Sequence, residues 1–205
     1  MASSLAVAYL FGTFNPIHYG HLLMAQCALE QFALARVIFV PAGRPPHRPA
    51  ASLAEAKHRL AMVQLAVAAN PRFEVCSWEL QQPEPSYTIE TLRHLWRDLS
   101  PLQAETEPRT RIIIGSDALA GLHTWREPDV LAATVEWLQM KRPEYAWVDS
   151  FLQNGQRFPL HTQPLHAPLV GISATEIRHR LTQGQSVRYW LPDAVANYIA
   201  WNQLY

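Results

Sequence analysis

Short apolar runs that alternate with helical segments are the feature that most limits how this 205-residue chain can fold. Two of the runs, 5–11 and 111–115, are apolar almost throughout, as is typical of strands covered on both faces of a parallel sheet. The predicted strands lie at 5–11, 37–40, 73–77, 111–115, 135–139 and 168–172. The predicted helices lie at 20–34, 53–69, 88–99, 173–182 and 192–200.

This order of elements predicts an α/β fold, because strands that alternate with helices form right-handed βαβ crossovers. We expect a doubly wound, Rossmann-like, mostly parallel open sheet with helices on both faces. The length and the 49% hydrophobic content suit a single domain over residues 1–205. Its C-terminal helical segment, about 173–205, is expected to pack on the rest of that domain.

Three segments rich in proline or polar residues interrupt the pattern, at 41–51, 80–87 and 140–167. Inside the last segment we expect a short helix near 148–153. Just after the first, Ser52 and Glu55 form an S-x-x-E pattern that predicts a capping box at the start of the helix over 53–69.

Charge and cysteine content narrow the class of protein. The formal net charge is zero, which disfavours a nucleic-acid binder. No stretch approaches the roughly 18 apolar residues of a membrane span, and the apolar start lacks the basic region of a signal peptide. Cys27 and Cys76 have no partner at metal or redox spacing, so a soluble protein of the reducing cytoplasm is expected.

The stretch FGTFNPIHYGHL, at 11–22, places two histidines where the first strand leads into a helix. Gly12 and Thr13 let backbone approach a ligand, and Gly20 opens a helix whose N-terminus favours an anion. His18 and His21 flank that N-terminus and could donate to the same anion. Taken alone, the pair could also be a metal site or two surface histidines. A zinc site would need further ligands, which the neighbouring sequence does not offer.

A second phosphate-compatible pattern is GISATEIRHRL, at 171–181. Ser173 and Glu176 form another capping box, and Thr175 adds a hydroxyl in the first turn. Arg178 lies one turn further on, where its side chain could reach back to an anion at the helix N-terminus. The alternative is a well-capped helix with a solvated arginine.

Together these two patterns resemble the HxGH nucleotidyltransferases, and within them the bacterial nicotinate-nucleotide adenylyltransferases. The match runs through G-[TS]-F-[DN]-P-x-H-x-G-H and I-S-x-T-x-[IV]-R, with PPHRP, PSYTIETL, IIGSDALAGLHTW, KRPEY and LPDAVANYI as further landmarks. Two residues depart from the family pattern. Ala174 replaces a common serine, and Glu144 stands where many members have glycine.

The resemblance implies transfer of an adenylyl group from ATP to nicotinate mononucleotide, giving nicotinate adenine dinucleotide and pyrophosphate for NAD synthesis. It implies Mg²⁺ as the metal that accompanies ATP, and catalytic roles for His18, His21 and Arg178. The ATP-binding residues it implies are Gly12, Thr13, Phe14, Gly20, Gly115, Asp117, Ile172, Ser173, Thr175 and Arg178. Asp117 could instead cap a short helix.

For the acceptor, nicotinate mononucleotide, the resemblance implies a different set of residues. Thr88 and Trp125 would frame the pyridine ring, with Arg126 in the adjoining turn, and His47 and Arg48 would bind the acceptor phosphate. The cationic ring gains from an indole face. The alternatives are core packing for Trp125 and surface positions for His47 and Arg48.

Other members of the superfamily remain alternatives, since nicotinamide mononucleotide, phosphopantetheine or alcohol phosphates serve as acceptors there. A class I aminoacyl-tRNA synthetase also carries HxGH, but 205 residues leave no room for a tRNA-binding domain. A nucleotide-sensing module could keep the ATP pocket without turnover. The oligomeric state stays open.

Overall fold

The computed structural model describes residues 6–46, 53–97 and 110–205. Within those ranges, two 3-10 turns lie at Trp78–Gln81 and Leu122–Thr124. The strands and helices, in chain order, are β1 (Val7–Gly12), α1 (Tyr19–Gln31), β2 (Arg36–Pro41), α2 (Ala56–Val67), β3 (Phe73–Val75), α3 (Thr88–Arg97), β4 (Thr110–Gly115), α4 (Ser116–Leu119), α5 (Pro128–Thr134), β5 (Val135–Met140), β6 (Ser150–Gln153), β7 (Gln156–Pro159), β8 (His161–Leu165), α6 (Ala174–Thr182) and α7 (Asp193–Trp201).

Six of these strands form one sheet in the order β3-β2-β1-β4-β5-β8, and all of its pairings are parallel. The predicted fold class is therefore confirmed. The strand order reverses between β1 and β4, where Ala8 pairs with Arg111. The same offset brings Gly12 level with Gly115, so two glycines end the strands at the switch point, where such sheets bind ligands.

Alternate residues of the central strands enter two separate hydrophobic cores, which shows that both faces of the sheet are covered. On β4, Ile113 joins a core with residues of α1, α2, α6 and α7, whereas Ile112 and Ile114 join a core with residues of α3 and α5. On β5, Leu138 joins the first of these cores and Trp137 joins the second. Within the described ranges, no helix is long and apolar enough to cross a membrane.

The predicted sixth strand at 168–172 is wrong. The strand at that edge of the sheet is β8, seven residues earlier, and residues 166–173 are an irregular connection to α6. The sequence of β8, HTQPL, is mostly polar because an edge strand is paired on one side and partly exposed. Its proline is also tolerated there, since an edge strand has unpaired backbone groups.

The predicted short helix at 148–153 is also wrong. Ser150–Gln153 and Gln156–Pro159 are the antiparallel strands of a hairpin, and its turn holds Asn154 and Gly155 at positive φ. Phe151 and Phe158 stack across the hairpin with ring centroids 5.1 Å apart. The Asn-Gly pair is a strong hairpin signal that the sequence prediction overlooked.

Two details of the helices also differ from the prediction. Helix α2 begins at Ala56 with Glu55 as its N-cap, so Glu55 does not occupy the third position of a capping box. Ser52, its proposed partner, lies outside the described residues. Helices α4 and α5 were not predicted, since four and seven residues give too little periodicity to detect.

Candidate active site

A cleft of about 290 Å³ opens at the carboxyl ends of the central strands. Gly12 and Thr13 after β1, Gly115 after β4 and Ala42 after β2 all line it. The cleft therefore lies at the switch point of the sheet, as the strand order requires. Its further lining includes His21, Asp117, Arg142, Glu79, Ser86, Thr88 and Trp125.

The two motif histidines lie one above the other at the start of α1. Their ring centroids are 3.8 Å apart at an angle of 31°, and the His18 backbone N–H donates to Nδ1 of His21 at 3.3 Å. His18 is the N-cap in an extended conformation and is 5% exposed. Its Nδ1 is buried and has no hydrogen-bond partner among the described residues.

Both imidazoles are held neutral at physiological pH. Burial and the nearby Arg142 lower the pKa of His18 to about 4. Burial, His18 and Arg142 together lower the pKa of His21 well below its usual value. A neutral imidazole carries one N–H, and a bound polyphosphate would supply the negative charge that favours a second proton.

The second motif meets the first at the N-terminus of α6. A Cβ on Gly20 would lie 3.8 Å from the carbonyl oxygen of Ile172, so the two helix starts are close neighbours. Ser173 caps α6 by accepting from the Glu176 N–H at 3.1 Å. The predicted N-cap of this helix is confirmed. Two helix N-termini therefore converge on one place, which favours a polyphosphate there.

Arg178 links α6 directly to the loop that carries the histidines. Its Nη1 donates to the carbonyl of Asn15 at 2.8 Å, and its Nη2 lies 3.4 Å from the Thr175 hydroxyl. This places a guanidinium, a hydroxyl and the N-terminus of α6 within one turn. Arginine and helix N–H groups are the donors that phosphates prefer.

Asp117 lines the cleft from the first turn of α4. The N-cap of that helix is Gly115, so the alternative role of Asp117 as its cap is wrong. A Cβ on Gly115 would overlap Oδ1 of Asp117, so a side chain there would displace the Asp117 carboxylate. The carboxylate also lies 3.9 Å from Nε of Arg142.

A larger cavity of about 560 Å³ adjoins the cleft and shares Pro46, Ser86, Thr88 and Trp125 with it. Thr88 is the first residue of α3. Trp125 packs edge-on against Trp137 with ring centroids 6.2 Å apart, so it is anchored in the core and also lines the cavity. The two cavities thus form one continuous groove from His21 to Trp125.

Arg126 lies beside Trp125 at the rim of this cavity. Its guanidinium is 4.9 Å from the Tyr87 ring centroid and 3.7 Å from the Glu90 carboxylate. These contacts hold a cationic group over the pocket. They suit a ligand that carries an anionic substituent on an aromatic ring.

Comparison with known proteins identifies the family. Residues 9–180 match the family model described as cytidylyltransferase-like. A protein of Synechococcus sp. (strain JA-3-3Ab) is 40% identical over 97% of this chain and 94% of its own length. A protein of Thermus thermophilus is 44% identical over 95% of this chain and 96% of its own length. Both are named as probable nicotinate-nucleotide adenylyltransferases.

This chain belongs to the nicotinate-nucleotide adenylyltransferase family. The resemblance drawn from HxGH and ISxTxxR is therefore confirmed. Among solved structures, the nicotinic acid mononucleotide adenylyltransferase of Plasmodium falciparum complexed with NaAD matches with a TM-score of 0.74 over 97% of this chain and 96% of the other. At 17% identity, that similarity shows that the two chains share a fold.

The Phe14 side chain of this adenylyltransferase-family chain lies away from the open groove, and two other predicted site residues are not described by the structure. The Phe14 side chain is buried, where it packs edge-on against His21 at 5.1 Å, so only its backbone is placed near a ligand. His47 and Arg48 lie outside the described residues. Ala174 is the first residue of α6, and the exposed Glu144 lies in a turn closed by the Tyr145 N–H and the Arg142 carbonyl.

Arg142 is the main residue of this adenylyltransferase-family site that sequence reasoning missed. It follows β5 in the landmark KRPEY, its N–H donates to the Ser116 hydroxyl at 2.8 Å, and its charge acts on both histidines. A usable signal was present, because Lys141 and Arg142 follow a predicted strand of the parallel sheet, and ligands bind at the carboxyl ends of such strands.

Proposed function

We propose that this protein joins ATP and nicotinate mononucleotide into nicotinate adenine dinucleotide and releases pyrophosphate. The observation that carries the proposal is the groove that runs from His21 to the Thr88–Trp125 cavity. It offers room for a triphosphate at one end and a pyridine ring at the other. Membership of the family supports the same reaction.

In the proposed reaction, an oxygen of the acceptor's 5′-phosphate attacks the α-phosphorus of ATP in line. The new bond joins that oxygen to the α-phosphorus, the bond to the bridging oxygen breaks, and its electron pair leaves with pyrophosphate. The protein forms no covalent intermediate. Catalysis then depends on positioning and on charge stabilisation at the α-phosphate, as is general for phosphoryl-group transfer.

His18 and His21 are proposed to donate N–H groups to the α-phosphate region, where charge develops. Their close stacking and low pKa values support this, since both are neutral before ATP arrives. A polyphosphate beside them raises the pKa of each and strengthens its hydrogen bonds. Donors already fixed in place need no reorganisation during the reaction.

The remaining ATP contacts follow from the placement of the second motif. We assign the β- and γ-phosphates to Ser173, Thr175 and Arg178, with backbone N–H groups near Gly12, Thr13, Phe14, Gly20 and Ile172. Gly115 and Asp117, which also line the cleft, are assigned to the ribose. The short link between Arg178 and the Asn15 carbonyl supports this assignment, because it holds both motifs around one volume.

For the acceptor, we assign the pyridine ring to Thr88, Trp125 and Arg126, and the phosphate to His47 and Arg48. The start of α3 at Thr88 presents the positive end of a helix dipole to the cavity. Together with Arg126, it favours a carboxylate on the ring. This supports nicotinate over nicotinamide mononucleotide.

Nucleotidyltransferases of this type generally use a divalent metal ion with ATP. We propose Mg²⁺, carried into the site on the phosphates. In the part of the chain that the structure describes, His, Cys, Asp and Glu side chains form no group of three that could hold a metal. The hydrogen-bond donors of this site are imidazole and guanidinium groups, which bind phosphate. Mg²⁺ is instead coordinated mainly by water and by phosphate oxygens. When bound, Mg²⁺ neutralises phosphate charge.

We also propose a cytoplasmic location, which the two free cysteines support.

The deciding experiment for the function incubates the protein with ATP, Mg²⁺ and a panel of acceptors: nicotinate and nicotinamide mononucleotides, phosphopantetheine and an alcohol phosphate. Pyrophosphate release and product mass are measured. We expect nicotinate adenine dinucleotide as the main product. No turnover with any acceptor, despite ATP binding, would instead indicate a nucleotide-sensing module.

A further inference from the structure

A buried carboxyl group lies between the two loops that wall the acceptor cavity. Glu79 is on the 3-10 turn Trp78–Gln81, is 3% exposed, and its Oε1 accepts from the Thr91 hydroxyl of α3 at 2.6 Å. The Ser86 hydroxyl and the Gly43 N–H lie nearby and favour the charged form of this carboxyl. Burial raises the pKa of the group, and these donors act against that rise.

Ser86 bridges the two loops through its side chain and its backbone. Its Oγ accepts from the backbone N–H groups of Gly43 at 2.9 Å and Arg44 at 3.1 Å. The Ser86 N–H in turn donates to the Arg44 carbonyl at 3.0 Å. The loop after β2 and the loop before α3 are therefore joined by several hydrogen bonds. Both loops line the acceptor cavity, through Pro46 and through Ser86, Tyr87 and Thr88.

Gly43 allows the close approach that this arrangement needs. A Cβ there would overlap the backbone oxygen of Glu79 and would lie 3.1 Å from Oγ of Ser86. Any larger residue would push the two loops apart. The two loops therefore meet closely at Gly43, Arg44, Glu79 and Ser86, and we call this contact the joint. Its position is set by backbone contact as well as by hydrogen bonds.

The same joint extends to the ATP side of the groove through Arg59. This arginine of α2 is 1% exposed and donates to the carbonyls of Thr13 at 2.9 Å, Ala42 at 2.5 Å and Gly43 at 2.9 Å. Its charge lowers the pKa of Glu79 from nearby. The Arg59 guanidinium thus binds carbonyls of the loop after β2, and the Glu79 carboxyl lies near the same loop.

We propose that Glu79 and Ser86 are positioning residues for the acceptor, which set the spacing between the loop after β2 and the start of α3. Their effect falls on nicotinate mononucleotide, because the loops they join line its cavity. ATP is affected less, because the histidines and α6, which we assign to its phosphates, lie outside the two loops. This inference rests on the proposed function for the identity of the acceptor.

The test compares four variants with the wild type: Ser86→Ala, Glu79→Gln, Ser86→Thr and Thr91→Val. We expect Ser86→Ala and Glu79→Gln to raise KM for nicotinate mononucleotide by about tenfold, with KM for ATP within about twofold, since each disrupts hydrogen bonds of the joint. Ser86→Thr keeps the hydroxyl and should restore most of the affinity. Thr91→Val removes the hydroxyl that donates to Glu79 and contacts the Tyr87 carbonyl, so it should raise KM for nicotinate mononucleotide in the same direction as Glu79→Gln.

The proposal fails if Ser86→Ala leaves the KM for nicotinate mononucleotide within about twofold, or raises both KM values equally. Since Ser86 is half-buried, its variant decides the question if Glu79→Gln does not fold. Calorimetric titration with nicotinate mononucleotide gives the same comparison without turnover. The product made by the wild type separately tests the proposed function, so the two failures are distinguishable.

Discussion

Arg178 donates a hydrogen bond of 2.8 Å to the backbone carbonyl of Asn15, across 163 positions of sequence. One end of its guanidinium thereby fixes α6 against the loop that precedes His18. The two motifs that we assign to ATP are therefore linked directly to each other within the folded chain. Such preorganisation is what charge stabilisation in a transition state requires.

We expect His18→Ala and His21→Ala each to lower kcat by roughly 10²–10³, the usual loss when one donor to a developing charge is removed. Because His18 is buried, its variant should also lose some stability. Single-turnover measurements at saturating ATP check the effect. His161→Ala, on the exposed edge strand β8, is the matched control and should keep full activity. A histidine variant with near wild-type kcat would remove that residue from catalysis.

Arg178→Ala should raise the KM for ATP more than that for nicotinate mononucleotide, because its proposed partner is a β- or γ-phosphate. A charge-assisted hydrogen bond contributes about 1.5–3 kcal/mol. Arg180→Ala is the control on the same helix, since Arg180 stacks on Trp190 and donates to the Ser186 carbonyl. Equal rises in both KM values for Arg178→Ala would indicate general damage to α6 instead.

The acid form of the acceptor should be preferred over the amide by at least about 10²-fold in kcat/KM. A carboxylate only accepts hydrogen bonds, whereas an amide also presents two N–H groups that would face the α3 N-terminus and Arg126. Each such mismatch costs about 1–3 kcal/mol. Steady-state rates with both mononucleotides measure the ratio, and Arg126→Ala should narrow it. A wild-type ratio within about tenfold would contradict acid specificity and leave adenylyl transfer intact.

Acid should destabilise this protein through His18. Its pKa is about 4 in the folded state and 6.5 in the unfolded state, so between those values the unfolded chain binds more protons. Stability is therefore full above about pH 6.5 and falls as the pH decreases, by about 2 kcal/mol at pH 5 from this group. Urea denaturation at pH 7.5 and 5 measures the loss. His18→Asn should show a smaller pH dependence, and an unchanged one would show that His18 does not titrate as described.

Sequence reasoning predicted the parts of the site whose residues are close together in the chain. His18, His21 and Ser173 follow strand ends or open helices, and those positions could be read from motif spacing. The central strands were equally accessible because they are apolar on both faces. The edge strand β8 was missed for the opposite reason, since its residues are mostly polar and resemble a loop.

Contacts between distant segments could not be predicted in the same way. No sequence pattern says that Ser86 accepts from Gly43, or that Arg59 of α2 reaches the Thr13 carbonyl. These contacts depend on the paths of loops between elements, which local preferences do not determine. Arg142 belongs to the same class, because its side chain reaches Asp117 only after β4 and β5 pair.

The shared wall between the two cavities has a consequence for inhibitor design. Pro46, Ser86, Thr88 and Trp125 border both cavities, so the proposed pyridine site directly adjoins the proposed polyphosphate site. A single compound that links a pyridine carboxylate to a polyphosphate should occupy the groove from end to end. Because the linker makes the second contact intramolecular, such a compound should bind more tightly than either fragment by a factor set by linker length.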